Sequence, residues 1–303
     1  YNDGEQFFEC LPIVPSLYMV DHGSTETGFK NVEGQNLREK TFDNVYQARD
    51  FVKQYEGIDS YPIFGYPQFD YTEISKLYPG LIDYNPKHVR TFNFDIEVDG
   101  SVEVEPGVFK SGGFPDPLVA KFPINAISVV YDEVCYCFGI GEFDVNKLTE
   151  KYELPIVFKE FGDEYSLLLA FLNFWDVSKP DIVTGWNIDT FDIPYLIHRM
   201  NQVIGEDKTV RLSPYSNIRS RSFVDGYGKD AITFSITGVA ILDYLQLYKK
   251  HTFTTRESYK LDHIAFVELG ERKIEYDGNL FILYHENPQL FFEYNCKDSI
   301  LVH

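Results

Sequence analysis

Four carboxylates and one phenol carry the clearest chemical signal in this chain. Asp95 and Glu97 lie in NFDIEV, Asp192 in GWNIDTFDIP, and Asp298 in YNCKD, four residues after Tyr294. Hydrolysis of a phosphodiester with two divalent cations needs such a set of hard oxygen ligands, gathered from distant segments onto one surface. In an Asp-x-Glu pair on a strand both side chains leave by the same face, because side chains alternate with period 2. Tyr294 and Asp298, spaced i, i+4, share one face if their segment is helical, which sets a phenol beside a carboxylate where it can position a water. An all-oxygen site suits Mg²⁺ or Mn²⁺ better than zinc.

The elements that must hold these residues can be read from the pattern of the chain. VRTFNFDIEV reads as a central strand with Phe92, Phe94 and Ile96 on one face and Asn93, Asp95 and Glu97 on the other. Residues 99–118, with SVEVEPGVFKSGG and FPDP, are expected as a long acidic loop bordering the site. AISVVYDEV and CYCFGIG predict two strands joined by a tight turn near Asp132 and Glu133. EYSLLLAFLNFWDVS predicts a helix, PDIVTGW a short buried strand, and FDIPYLIHRMNQVIG a helix with Asp192 in its first turn, where the positive end of the helix dipole favours an anion. SRSFVDGYGKDAITFSITG predicts a β-hairpin turning around Asp225, Gly226 and Gly228. ILDYLQLYKK, SYKLDHIAFVEL and PQLFFEYNCKDSILV are expected to be helical, the last carrying Tyr294 and Asp298. Ahead of all this, residues 1–88, with the strand-like PIVPSLYMV and the amphipathic NVYQARDFVKQY, predict a small α+β domain that ends at YPGLIDYNPKH.

Composition narrows the class. A length of 303 residues suits two domains, here 1–88 and 89–303, each able to bury its own core. The four cysteines, Cys10, Cys135, Cys137 and Cys296, form no C-x-x-C pair and no zinc spacing, and are expected as reduced, buried thiols. No stretch is long and apolar enough to suggest a membrane helix, and no export signal opens the chain, so a cytoplasmic protein is the simplest expectation. A net charge of -20 argues against a broad basic nucleic-acid surface. Residues 208–260 are the exception, with nine Lys or Arg against four Asp or Glu. Divalent ions can offset an acidic site by bridging carboxylates to a substrate phosphate. There is no Walker glycine loop and no G-x-S-x-G elbow, so water rather than serine is the expected nucleophile.

The order Asp-x-Glu, then Asp after an Asn-containing turn, then Tyr-x-x-x-Asp resembles the Exo I, Exo II and Exo III motifs of DEDD-type 3'-5' exonucleases in their tyrosine variant. PSLY at 15–18, TFNFDIEV at 91–98, FPDP at 114–117, LNFW at 172–175, TGWNIDTFDIPY at 184–195 and ILDYLQLYKK at 241–250 are similar to family B DNA polymerases of T-even-type bacteriophages. The resemblance covers essentially the whole chain, while the palm motifs of that family do not occur. It implies an α/β fold, α+β overall: a ribonuclease H-like 3'-5' exonuclease domain with an inserted β-hairpin, behind the family's amino-terminal α+β domain. It also implies a proofreading function on single-stranded or frayed DNA 3' ends, with two Mg²⁺ or Mn²⁺ ions as cofactors.

By the same resemblance, Asp95 bridges the two ions, Glu97 and Asp298 complete the one carrying the attacking water, Asp192 serves the other through water, and Tyr294 orients the nucleophile. The hairpin would help move a frayed primer strand. Asn187 either hydrogen-bonds the terminal nucleotide or holds its own turn, and Phe114 either stacks on a frayed base or anchors its loop. Opening on Tyr1 and stopping five residues past Asp298, the chain reads as a fragment, or as one product of a split gene that pairs with a palm-bearing chain. Two other readings stand beside it: a docking or nucleic-acid-binding half of a split polymerase with little activity of its own, and a stand-alone repair exonuclease.

Overall fold

The computed structural model describes residues 6, 11–23, 27–81, 85–224, 228, 230–276 and 278–303, which separate into two compact units divided between Pro86 and Lys87. The predicted hairpin turn at Asp225 and Gly226, and Cys10, lie outside the described residues.

The first unit contains β1 (Ser16–Val20), β2 (Phe29–Lys30), β3 (Asn36–Thr41), α1 (Val45–Tyr55), β4 (Ile63–Phe64) and α2 (Phe69–Leu77). Its sheet runs in the order β2-β3-β1-β4. Asn44 caps α1, its side chain accepting from the Gln47 amide at 2.9 Å, and Ala48 is the helix's buried contact. Leu17, Phe42, Ala48 and Phe69 form the core between sheet and helices.

The second unit is built on β5 (Thr91–Val98), β6 (Ser101–Glu105), β7 (Val108–Ser111), β8 (Ile124–Tyr131), β9 (Val134–Ile140), β10 (Ile156–Phe161), α3 (Glu164–Ser178), β11 (Ile182–Gly185) and α4 (Asp192–Val203). The short helix α5 (Glu206–Thr209) follows, then β12 (Ile218–Val224), β13 (Asp230–Ile236), β14 (Ala240–Asp243), α6 (Tyr244–His251), α7 (Leu261–Leu269), α8 (Leu280–Glu286) and α9 (Pro288–Val302). Six strands make a mixed sheet in the order β10-β9-β8-β5-β11-β14, antiparallel at β9/β8 and β8/β5 and parallel at the other three pairs. The predicted tight turn between β8 and β9 is present: Asp132 and Glu133 both have positive φ, 51° and 59°, as a two-residue type I′ hairpin requires.

Both faces of this sheet are covered, which is what buries the acids. Phe92, Phe94 and Ile96 point into a core formed with Leu167, Phe171 and Trp175 of α3 and Ile193 and Leu196 of α4. On the opposite face, Ala126, Val130, Cys135 and Cys137 pack against Phe291, Phe292 and Cys296 of α9. The three described cysteines are therefore reduced and buried. Glu164 locks the first face together. Its carboxylate accepts both guanidinium bonds of Arg199, at 2.8 and 2.7 Å, and the Ile124 amide at 2.7 Å.

Three differences from the sequence reading have local causes. Residues 99–118 are not wholly loop, because the alternating SVEVE and VFKS segments pair as the β6/β7 ribbon, docked by Phe109 stacked 3.5 Å from His285. Residues 241–243, expected at the start of a helix, extend β11 as the edge strand β14, and α6 begins only after Asp243 caps it. β10 adds a parallel edge strand that the sequence reading did not contain. β12 and β13 pair antiparallel from Ile218↔Ile236 to Val224↔Asp230, with Ile218, Phe234 and Ile236 seating the base of the ribbon on the core. No helix among the described residues is long and apolar enough to cross a membrane.

Gly185, where β11 leaves β5, marks the tightest backbone approach beside the acids. A Cβ there would lie 2.4 Å from the Phe94 carbonyl oxygen and 2.5 Å from Cγ2 of Ile188. The Phe94 carbonyl belongs to the strand that carries Asp95 and has little room to move. Gly185→Ala is expected to lower stability by about 2–3 kcal/mol through overpacking, read as a lower urea midpoint at unchanged m-value.

Candidate active site

The strand pleat and one helix bring the distant acids together. Asp95 and Glu97 leave β5 on the face covered by α9, and α9 returns Asp298 to them. One carboxylate oxygen from each of Asp95, Glu97 and Asp298 lies within 4.8 Å of the other two. Asp192, the first residue of α4, stands beside this cluster, its Oδ1 accepting the backbone amide of Ile96 at 3.2 Å. Ile96 lies between Asp95 and Glu97 in sequence, so this bond ties the fourth acid to the strand bearing the first two.

α9 is placed by its cap and its polar underside. Pro288 starts the helix and the Asn287 side chain accepts from the Leu290 amide at 3.1 Å. Ser128 of β8 donates to the Asn295 carbonyl at 2.8 Å, and its hydroxyl lies 2.6 Å from that of Ser299. These bonds fix the helix's height over the sheet. Tyr294 and Asp298 then lie on one helix face, the phenol ring packed edge-on against Tyr276 at 5.3 Å. An open cavity of about 640 Å³ meets Tyr294, lined also by Asp262, Lys273, Ile274, Glu275 and Tyr276.

Two residues absent from the sequence reading complete the cluster. Asn295 is fully buried and its amide donates to Asp95 Oδ2 at 2.8 Å. Lys273, in the segment between α7 and α8, donates to the Tyr294 hydroxyl at 3.0 Å and forms a close ion pair with Asp298. Asn295 sits inside YNCKD, where a buried helix amide beside acids was a usable signal. Lys273 sits in ERKIEYD, which has neither helical nor strand periodicity and gave none.

The other candidates lie outside the three-acid cluster. Asn187 stands in a turn with a left-handed φ of 64°, where its side-chain oxygen accepts from Thr190 at 3.1 Å. The Asp243 carboxylate fastens that turn to α6 by accepting the Asn187 and Asp189 amides, each at 3.2 Å. Phe114 is 80% exposed, its ring 5.8 Å from Phe191.

Electrostatics define what the site lacks. Burial, reinforced by Glu97, Asp192 and Asp298, pushes the Asp95 carboxyl well above its ordinary range, and burial with Asp298 does the same to Glu97. Burial takes Asp192 up to about 7 against the hydrogen bond from Ile96, and raises Asp298 although Lys273 pulls it back. Burial opposes the charge on Lys273, but Asp298 and Tyr294 outweigh it and hold the ammonium protonated beyond its usual range. Three buried acids and the partly buried Asp95 thus face one ammonium. Asp298 Oδ1 is buried with no hydrogen-bond partner among the described residues. An orphaned carboxylate oxygen in an all-oxygen, charge-deficient cluster fits a divalent cation held by Asp95, Glu97 and Asp298.

A pH dependence follows. Because burial raises the folded-state values of these acids, their contribution to the cation-free fold is full below their unfolded values and is lost as pH rises, for Asp192 between 3.8 and about 7. A bound cation favours the ionised forms. Mn²⁺ or Mg²⁺ is therefore expected to raise the melting temperature more at pH 8 than at pH 5, a gain of about 2.7 kcal/mol at a hundredfold excess over Kd, measurable by calorimetry.

The chain is similar to known proteins. The family described as DNA polymerase family B, exonuclease domain, matches residues 69–264. The chain is 33% identical over 98% of its length to a DNA-directed DNA polymerase of Enterobacteria phage T4, and 34% identical over 98% to that of Escherichia phage RB69. It is also 31% identical over 61% of its length to a DNA polymerase catalytic subunit of rat cytomegalovirus, covering 16% of that protein. The chain spans about a third of the length of the two phage polymerases, 34% in each case.

Proposed function

The chain belongs to the exonuclease-domain family of family B DNA polymerases, and from that premise we propose that residues 89–303 form a ribonuclease H-like 3'-5' exonuclease that removes nucleotides from single-stranded or frayed DNA ends. Residues 1–88 are then the family's amino-terminal domain. Proofreading for a phage replicative polymerase is the role this activity serves, with a palm-bearing segment or chain as partner. The observation that carries the reading is the convergence of the partly buried Asp95 with the buried Glu97 and Asp298, three acids from two distant segments, with Asp192 alongside and Tyr294 facing an open cavity.

Asp95, Glu97 and Asp298, with Asp192 beside them, would hold Mg²⁺ or Mn²⁺, which would supply charge stabilisation at the scissile phosphate and acidify water for in-line attack. The protein's own groups do the positioning. Asn295 fixes the rotamer of Asp95 through its 2.8 Å bond, and the Ile96 amide fixes Asp192. Burial keeps the Tyr294 phenol protonated, so it can hold a water by donating or accepting, while Lys273 anchors its oxygen. Burial of the acids also explains the preference for an unpaired end: the last phosphodiester reaches them only once its base leaves the stack, and unpairing costs least at a mismatch. Asn187 and Phe114 are proposed as contacts to the terminal nucleotide.

The test is release of mononucleotides from a 5'-labelled strand, supplied single-stranded, with a frayed 3' end, or fully paired, in Mg²⁺ or Mn²⁺. Cation-dependent stepwise shortening from the 3' end, fastest on the unpaired substrates, is the expected result. A folded, cation-binding chain that shortens none of them would overturn the reading in favour of a docking half of a larger enzyme.

A further inference from the structure

Beside the carboxylate cluster, α9 carries a second pair of buried charges for which the hydrolysis has no use. The Glu293 carboxylate is fully buried and accepts the Thr149 amide at 2.8 Å, the Thr149 hydroxyl at 2.9 Å, the Glu150 amide at 3.2 Å and the Tyr152 phenol at 3.1 Å. One turn on, the Lys297 ammonium lies 2.6 Å from Glu271 and 3.1 Å from Glu150, its side chain only 7% exposed. The spacing i, i+4 puts both on one flank of the helix. Glu293 therefore pins the 149–152 loop to α9, and Lys297 connects that pinned loop to Glu271, two residues before Lys273. A further hold on the same segment comes from Asp262 of α7, which accepts Arg272 at 2.9 Å and the Lys273 amide at 3.0 Å.

A lysine side chain has many rotamers and reaches one place reliably only if its backbone is fixed. We propose that the Lys297–Glu271 pair, braced on Glu150, is a positioning device for the proposed exonuclease: it fixes the segment at 271–273 so that the Lys273 ammonium stands on Tyr294 and Asp298. This rests on the exonuclease reading of the site. Lys297 touches none of the reacting groups and acts through Lys273. Because Glu150 and Glu271 are 43% and 53% exposed, the pair adds little to global stability, and its effect falls on geometry. A residue adjacent to Asp298 in sequence thus faces away from the reaction and holds a different side chain in it.

The experiment is a double-mutant cycle on the full chain, with single-stranded 3'-end shortening and trypsin cleavage after Arg272 and Lys273 as its two readouts. Lys297→Met is expected to lower kcat about tenfold, since small misplacements in a site are costly, with KM nearly unchanged and with most of the loss recovered in Lys297→Arg. In a Lys273→Met background the same change should add less than about twofold, because coupled residues are not additive. Tryptic cleavage should rise severalfold in Lys297→Met and in Glu271→Gln. Equal losses in both backgrounds, or unchanged cleavage, would overturn the positioning role. A parent chain that shortens no substrate would instead overturn the exonuclease reading and the catalytic half of this one, while the cleavage comparison still decides whether the pair holds the segment.

Discussion

The Asp95→Ala, Glu97→Ala double variant is expected to release mononucleotides at least about 10³-fold more slowly than the parent chain, a loss of roughly 4 kcal/mol in transition-state stabilisation. The size follows from what the two acids share. Both leave β5 toward α9, and both belong to the three-oxygen cluster. With them gone, Asp298 is the cluster's one remaining acid, already paired to Lys273. The fold should not suffer in proportion. Asp95, partly buried, and Glu97, buried, are acids whose mutual repulsion and desolvation oppose folding without a cation, and among the described residues the polar contact forfeited is the 2.8 Å bond from Asn295. The cation-free variant is therefore expected to melt at or above the parent's temperature, with the cation-induced rise abolished. A variant that loses activity and melts lower would point to misfolding rather than to lost ligands. One that keeps activity would remove these acids from the chemistry.

Lys273→Met is expected to act in the opposite sense on stability. Its ammonium, one quarter exposed, is paired with Asp298 and hydrogen-bonded to Tyr294 amid the buried acids. Removing one partner of such a pair leaves an uncompensated buried charge, here about 3 kcal/mol after allowing for partial exposure. The cost should be greatest near pH 8, where the acids must ionise, and should shrink toward pH 5 as they take up protons. Adding Mn²⁺ should recover much of it, because a divalent ion supplies the missing positive charge. Thermal melts at both pH values, with and without Mn²⁺, check this. A loss independent of pH and of Mn²⁺ would mean that Lys273 contributes packing rather than charge.

How much of the site was legible depended on how its parts are encoded. The Asp-x-Glu pair was readable because strand alternation is local: knowing that NFDIEV is a strand fixes both side chains on one face. The Tyr-x-x-x-Asp pair was readable for the same reason in a helix. The turn at Asp132 and Glu133 followed from its flanking strands. β10, β14 and the β6/β7 ribbon were less legible, because a short edge strand is defined by the partner it pairs with, and that partner is distant in sequence or the segment too short for periodicity to declare itself. Lys273 was not legible at all. It sits in irregular backbone, and its place follows from Asp262 and Lys297, which arrive from two other elements, the second acting through Glu271 of the same segment.

The sequence by itself determined the chemical inventory: which acids, in which order, on which side of each strand and helix, and through them the family. These are properties of local backbone periodicity and residue type, which need no knowledge of the rest of the chain. Only the tertiary structure decided that Asp95, Glu97 and Asp298 meet within 4.8 Å, that an ammonium stands among them, and that α9 divides its flanks between the acids and the loops holding that ammonium. Those facts depend on long-range packing of α9 across the sheet, where burial turns separate carboxylates into one coupled, cation-seeking group.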